Sequence, residues 1–220
     1  MSSEPAHPQQ PRRIPRLGWA IAFLVLAGLI AFAYASFVKM QPTAAPHERY
    51  AKAPEFQFTA QDGQTVSTGD LKGKVWVANF IFTRCAGPCP VMTGHMAELN
   101  QQLGTKLKDV ELVSITVDPE YDSPAVLKEY GERVGAAPER WKFLTGPNDK
   151  IQNVVVKGFL QALGKDNDGA PMHSTRFVVV DREGWIRGFQ DGTDPELVQK
   201  LLMDIGDLLR ERPSNTTASR

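Results

Sequence analysis

The segment VWVANFIFTRCAGPCP, residues 75–90, joins a run of apolar β-forming residues to a turn that holds both cysteines of the 220-residue chain. Residues 75–82 are apolar except for Asn79, which predicts a strand buried on both faces of a sheet. Pro90 suits the first turn of a helix and keeps the residue before it out of helical geometry. Cys89 is therefore predicted to lie at the entrance of a helix that continues to Leu103.

Strands and helices alternate on both sides of this segment. Residues 56–66 predict a hairpin that turns at Asp62-Gly63. The downstream elements are predicted to be strands at 110–117 and 141–144, a helix that begins at Ser123-Pro124, a helix at 149–163 with Asn148 as a possible cap, a hairpin of 176–180 and 185–189, and a last helix that begins at Asp194-Pro195. This order predicts an α/β fold, a thioredoxin-like mixed sheet with helices on both faces and an added N-terminal hairpin.

The composition is that of a globular protein. Hydrophobic residues make up 42% of the chain and charged residues 23%, and the formal net charge is zero. A nucleic-acid binder needs a basic face for phosphate contacts, and the body of the chain has no block of Lys or Arg. We therefore expect no nucleic-acid partner.

Residues 17–38 are 22 residues without a charge, which is long enough for one transmembrane helix. Arg12, Arg13 and Arg16 precede this stretch, which favours an N-terminus in the cytoplasm. The sequence thus predicts a single-pass protein of the inner (cytoplasmic) membrane, with its soluble domain on the periplasmic or extracytoplasmic side. A cleaved signal peptide that ends near Ala33-Tyr34-Ala35 is the alternative.

The composition also divides the chain into segments. The expected order is a disordered cytoplasmic tail at 1–16, a transmembrane anchor at 17–38, a linker at 39–54, a thioredoxin-like domain at 55–210 and a disordered tail at 211–220.

The two thiols are candidates for a disulfide staple, a redox pair or a metal site. A disulfide that closes so short a loop contributes only roughly 2 kcal/mol, so a purely structural staple is a poor use of this spacing. The positive end of the helix dipole, together with Arg84, is expected to favour the thiolate form, which binds metal and attacks sulfur.

A third ligand for a metal must come from the four histidines. His7 and His47 lie in the tail and the linker, and His95 is predicted to be a packing or surface residue of the helix after Cys89. His173 ends a loop directly before a buried strand and is predicted to face the cysteine turn. Two sulfurs and one imidazole favour Cu(I) and leave Cu(II) open, whereas a structural zinc site needs four protein ligands. Oxidation of the pair to a disulfide would expel the metal.

Four motifs resemble the Sco/SenC family of copper-binding, thioredoxin-like proteins that assist the assembly of cytochrome c oxidase. They are FTRCAGPCP at 82–90, SITVDPEYDSP at 114–124, RWKFLTG at 140–146 and HSTRFVVVD at 173–181. The chain departs from the family pattern at Ala86, where proline is common, and at Met172, where some members have an aspartate.

The resemblance implies that Cys85, Cys89 and His173 bind copper and that the cysteines can also form a redox-active disulfide. Asp118 matches an acidic position of the family, where it supports a ligand or a partner, although a charge that simply ends a strand is an equal alternative. The implied partners are the copper-carrying subunit of cytochrome c oxidase, and a thiol reductant or another copper chaperone.

Three functions remain open from the sequence. A copper metallochaperone, which is not an enzyme with turnover, uses all three ligands. A thiol-disulfide oxidoreductase that reduces the cysteines of the oxidase copper site needs only the cysteine pair. A peroxiredoxin-like peroxidase would need one reactive thiolate beside a threonine and an arginine, for which Thr83 and Arg84 are the candidates.

Overall fold

The computed structural model describes residues 25–32, 48–105, 107–161, 163–165 and 171–211, and for 163–165 and 171–173 it describes the backbone only. Residues 25–32 form helix α1, whose side chains are exposed. The rest of the predicted anchor at 17–38 and both predicted tails, apart from residue 211, lie outside the described residues. Among the helices that are described, none combines the length and the apolar character that a bilayer-spanning helix needs. Contacts divide the chain into two compact units, Met1–Ala45 and Pro46–Arg220, and the fold below is that of the second.

The second unit is built on an eight-stranded mixed sheet, with a separate two-stranded sheet beside it. The strands are β1 Ala51–Lys52, β2 Gln57–Ala60, β3 Thr65–Ser67, β4 Val75–Ile81, β5 Val110–Thr116, β6 Trp141–Thr145, β7 Leu163–Lys165, β8 Pro171–His173, β9 Arg176–Val180 and β10 Trp185–Asp191. The large sheet has the order β1-β10-β9-β4-β5-β6-β2-β3, and β7 pairs with β8. Strands β4, β5 and β6 are parallel, whereas β9 runs antiparallel to β4. The predicted hairpin at 56–66 is confirmed as β2 and β3.

In the described part of the second unit, four α-helices lie between these strands or after the last one. They are α2 Cys89–Leu103, α3 Pro124–Arg133, α4 Asn148–Asn153 and α5 Leu197–Arg210, with a 3-10 turn at Thr68–Leu71 and a π-helical turn at Val154–Gly158. Ser123 caps α3 as predicted, since its side-chain oxygen accepts a hydrogen bond from the Val126 N–H.

Both faces of the sheet are buried, which explains why β4 is apolar throughout. Val75, Val77 and Ile81 pack on one face against residues of α2, α3 and α5. Trp76 and Phe80 pack on the other face, against the N-terminal hairpin and the segment after β6. The predicted arrangement of helices on both faces is therefore confirmed.

Three predictions about the elements need correction. The helix expected at 149–163 ends at Asn153 and continues only as the π-helical turn, because the chain then turns at Leu160, which has a φ of 58°. Asn148 is the first residue of α4 and makes no side-chain cap. Ala51 and Lys52, which were assigned to a linker, pair with β10 and thus belong to the sheet.

Candidate metal centre

The cysteine turn joins the end of β4 to the start of α2, as predicted. Cys89 is the first residue of α2, Pro88 lies at its N-cap and Pro90 in its first turn. The turn is closed by the Cys85 N–H, which donates to the Phe82 carbonyl oxygen over 3.2 Å. Cys89 is buried at 1% exposure, whereas Cys85 is half-buried, so the pair presents one sulfur to the surface and one to the core.

The two cysteines form no disulfide. The Gly87 N–H donates to the Cys85 sulfur over 3.4 Å. Burial, and secondly the neighbouring Cys85 side chain, raises the pKa of Cys89 to about 12. The expectation that the helix N-terminus favours a thiolate is therefore wrong for Cys89 in the metal-free state, because desolvation outweighs the helix dipole there.

Arg84 directs its charge to the loop after β5. Its guanidinium donates to Asp118 Oδ2 over 2.6 Å and lies 4.2 Å from the centre of the Tyr121 ring. Asp118, the predicted supporting residue, thus lies next to the cysteine turn and fixes Arg84. This pairing gives Arg84 a role in holding the turn against the loop after β5.

Asp122 is a residue of the site that the sequence analysis missed. It is fully buried, and its carboxylate accepts three hydrogen bonds, from the Thr83 N–H at 3.1 Å, the Thr83 hydroxyl at 2.5 Å and the Thr116 hydroxyl at 2.5 Å. Thr83 begins the cysteine turn and Thr116 ends β5, so Asp122 ties together the carboxyl ends of two neighbouring strands. The one signal in the sequence was that residues 118–122 contain three acidic side chains. The sequence does not show which of the three is buried.

His173 ends β8, in which it pairs with Leu163 of β7, and only its backbone is described. Three residues later, at Arg176, the chain enters β9. Because β9 is antiparallel to β4, the start of β9 and the end of β4 lie at the same edge of the sheet. Gly192 packs at this edge. A Cβ added to Gly192 would lie 2.2 Å from the Thr175 carbonyl oxygen and 3.0 Å from the Met92 side chain. The segment that follows His173 therefore approaches the first turns of α2.

His95 lies on α2, between one and two helical turns after Cys89. Its Nδ1 is 3.0 Å from the Gly192 carbonyl oxygen, so the ring donates a hydrogen bond to the loop after β10. This contact gives His95 a packing role, in line with its sequence interpretation, while its exclusion from the ligand set stays a prediction.

The described side chains alone do not complete a metal site. No group of three His, Cys, Asp or Glu side chains within that part of the chain is arranged to hold an ion. The described donor set is the pair of adjacent thiols, which are soft ligands that suit Cu(I). An imidazole added to them would complete a three-coordinate site.

The fold and the two thiols at the helix entrance define a thioredoxin-like protein with a cysteine pair after its central strand β4. The family model described as SCO1/SenC matches residues 44–208, and this chain belongs to that family.

Three solved structures of the family are similar to this chain. A SCO1/SenC family lipoprotein from Bacillus anthracis is 34% identical, with a TM-score of 0.68 over 72% of this chain and 95% of that one. BsSco, a member of the Sco family of cytochrome c oxidase assembly proteins in which a disulfide switch was identified, is 31% identical, with a TM-score of 0.67 over 75% and 98%. ScoI of Bradyrhizobium japonicum, solved with copper bound, is 26% identical, with a TM-score of 0.62 over 72% and 99%.

Proposed function

We propose that this chain is a membrane-anchored copper metallochaperone that binds copper through Cys85, Cys89 and His173. It delivers the copper to the binuclear copper site of cytochrome c oxidase, on the subunit that carries this site. Cu(I) is the preferred form of the cargo. In this role the protein is a carrier and has no catalytic turnover.

The observation that carries the proposal is the pair of free thiols in one short turn between the end of β4 and the entrance of α2. Two thiols in one such turn can contact one soft ion without a change in the fold. Because Cys85 is half-buried and Cys89 is buried, a recipient protein approaches the outer sulfur first. Transfer then proceeds by exchange of one ligand at a time, starting at Cys85.

The role of His173 is supported by topology. β8 ends at His173, and the next strand, β9, starts at the edge of the sheet where β4 ends in the cysteine turn. The contact of Gly192 with both Thr175 and Met92 holds the chain after His173 against α2. The copper-bound structure of a family member supports copper as the metal.

The supporting residues act on the turn and not on the metal. Asp118 fixes Arg84 beside Cys85, and Asp122 fixes Thr83 at the start of the turn. A turn held in this way keeps the sulfurs in place after copper leaves, so the site does not reorganise for each round of loading.

The proposal places residues 17–38 in the inner membrane as a single anchor, with the copper-binding domain at 55–210 on the extracytoplasmic side. The 22-residue uncharged stretch and the arginines before it support this placement. The lipoprotein of the same family supports a membrane-attached domain in general.

The second candidate function is reduction of the cysteines in the oxidase copper site. The thiol pair and the disulfide switch of BsSco favour it. In this reaction one thiolate attacks the target disulfide, a mixed disulfide forms, and the second thiol releases the reduced target while Cys85 and Cys89 are oxidised. A partner thiol reductant returns the pair to the dithiol state.

A copper titration of the full chain in a neutral detergent separates the two functions. Cu(I) affinity is measured by competition with a Cu(I)-specific chelator for the parent and for Cys85→Ala, Cys89→Ala and His173→Ala. We expect each change to lower the affinity by more than about a hundredfold, because even residues outside the ligand set are worth about 10–100-fold.

His95→Ala is the matched control, since it removes an imidazole from the same domain and should bind Cu(I) like the parent. If His173→Ala binds Cu(I) as tightly as the parent, and both cysteine variants lose the reduction of a target disulfide, only the reductant function is supported. A large loss in His95→Ala would show that the wrong imidazole was chosen.

A further inference from the structure

Exposed side chains lie on both sides of the cysteine pair. Arg84 immediately precedes Cys85 and is exposed. Tyr121, in the loop after β5, is 48% exposed and stacks on the Arg84 guanidinium, whose carbon atom lies 4.2 Å from the ring centre. Val91 is 50% exposed in the first turn of α2, two residues after Cys89. Arg84, Val91 and Tyr121 together form the rim of the cysteine turn.

The Arg84–Tyr121 pair is held in place before any partner arrives. The Arg84 guanidinium donates to Asp118 Oδ2 over 2.6 Å, and the Tyr121 N–H donates to the Asp118 carbonyl oxygen over 3.1 Å. Ordering a long surface side chain on binding costs about 0.5–1.5 kcal/mol. Because this pair is already ordered, it keeps more of its contact energy for a partner than a mobile surface side chain does.

Arg84 also has donors to spare. A guanidinium has five N–H donors, and among the described residues Asp118 is its one hydrogen-bond acceptor. The ion pair with Asp118 is neutral overall, so the open donors favour neutral acceptors. The backbone carbonyl oxygens of a polypeptide loop are acceptors of this kind.

A protein that exchanges ligands at Cys85 has to cover this rim. Its own thiol must come within bonding distance of the ion that Cys85 holds, and a standard interface buries about 800 Å² on each partner, a disc of about 16 Å radius. Arg84 is the chain neighbour of Cys85, and Tyr121 contacts Arg84, so both lie inside such a disc. Binding energy at interfaces is concentrated in a few Tyr, Trp and Arg side chains, which is the composition of this pair.

We propose that Arg84, Val91 and Tyr121 are the docking residues for the copper recipient, a protein that presents its own cysteines on an exposed loop. The Tyr121 ring and Val91 contact apolar side chains of the loop, and Arg84 donates to its carbonyl oxygens. None of the three side chains binds copper. This inference rests on the proposed carrier function and adds the surface that selects the recipient.

The test measures copper transfer from the full chain in neutral detergent. The probe is the metal-free, reduced copper-binding domain of the oxidase subunit from the organism that encodes this chain. Cu(I)-loaded parent and variants are mixed with increasing recipient concentrations without oxygen, and transfer is followed by stopped-flow absorbance. The recipient concentration that gives half the limiting rate reports docking, whereas the limiting rate reports ligand exchange. Cu(I) affinity is measured separately by chelator competition.

Tyr121→Ala should raise the half-saturating recipient concentration by about tenfold or more, as expected for an interface hot spot. The limiting rate and the Cu(I) affinity should stay like those of the parent. Arg84→Gln should act similarly. Val91→Ala should have a smaller effect of about two- to fivefold, because it removes less apolar area.

Two controls match these changes in residue type. Tyr50→Ala removes a tyrosine that is 54% exposed, at the sheet edge where its N–H donates to the Ile186 carbonyl oxygen. Arg210→Gln removes an exposed arginine that, like Arg84, pairs with an aspartate, here Asp207. Both variants should transfer copper like the parent.

A parent-like half-saturating concentration for Tyr121→Ala would overturn the docking role and leave the carrier function intact. If Arg84→Gln lowers the Cu(I) affinity, that change acts through the turn, and Tyr121→Ala decides because Tyr121 lies outside the turn. A parent that binds Cu(I) but passes none to the recipient would overturn delivery itself, and the docking role with it.

Discussion

Replacement of Asp122 by asparagine tests whether the buried carboxylate holds the cysteine turn. Asparagine has nearly the same shape, so the change removes charge and one acceptor position without leaving a cavity. Asp122 is fully buried and accepts from the Thr83 N–H, the Thr83 hydroxyl and the Thr116 hydroxyl. The amide oxygen can still accept from the Thr83 N–H and the Thr116 hydroxyl, while its NH2 group meets the Thr83 hydroxyl, which must then accept instead of donate.

The expected cost follows from these three hydrogen bonds. A hydrogen bond to a charged group contributes about 1.5–3 kcal/mol, against about 0.5–1.5 kcal/mol for a neutral one. Three hydrogen bonds that lose their charged acceptor, at about 1 kcal/mol each, therefore cost about 2–4 kcal/mol of the free energy of unfolding. For a domain of this size that lowers Tm by about 4–16 °C.

The assay is thermal unfolding of the reduced, metal-free full chain in neutral detergent, followed by circular dichroism. Asp109→Asn, at an exposed aspartate in the turn before β5, is the matched control and should change stability by no more than about 0.5 kcal/mol. Asp122→Asn should also weaken Cu(I) binding relative to this control, since the start of the turn is no longer fixed. A Tm for Asp122→Asn within the range of the control would refute the role of Asp122 in holding the turn.

Two further predictions address the thiols and the edge of the sheet. Because burial raises the pKa of Cys89 to about 12, its thiol stays protonated at mildly alkaline pH. Iodoacetamide should therefore alkylate Cys85 of the metal-free protein well before Cys89, as followed by mass spectrometry, until the pH approaches the pKa of Cys89. Equal alkylation rates of the two cysteines near pH 8 would contradict this prediction. Gly192→Ala places a Cβ 2.2 Å from a backbone carbonyl oxygen, so it should lower the free energy of unfolding by about 1–3 kcal/mol and weaken Cu(I) binding. Gly94→Ala, whose Cβ meets nothing within 4 Å, is the control and should retain or slightly raise the Tm. The same small effect in both variants would show that the edge where β9 starts and β4 ends is not tightly packed.

The elements that could be predicted from the sequence carry a local signal that agrees with their tertiary setting. β4 is apolar on both faces because both faces are buried, and Pro90 marks the start of α2 wherever the helix packs. The two residues of β1 are too few to show the alternation of apolar and polar residues that predicts a strand, and they form one only by pairing with β10. The predicted helix ran too far beyond Asn153 because the apolar spacing continues there. The turn at Leu160 needs a positive φ, a conformation that the sequence does not predict for leucine.

In the site, too, the features with a local sequence signal could be predicted and those that depend on the whole fold could not. The cysteines and their place at the helix entrance follow from the proline spacing, so the sequence is sufficient for them. The ionisation of Cys89 was misjudged because the helix dipole is a local effect, whereas the depth of burial depends on the whole fold. Asp122 was missed for a similar reason, since Asp118 and Asp122 share one loop and only the folded chain decides which carboxylate turns inward.

The central claim is that one ion contacts Cys85, Cys89 and His173, and X-ray absorption of the Cu(I)-loaded full chain tests it most directly. The account predicts two sulfur neighbours and one nitrogen neighbour for each copper, and loss of the nitrogen in His173→Ala with both sulfurs retained. A spectrum of His173→Ala that keeps its nitrogen, or a parent spectrum with sulfur neighbours only, would contradict it.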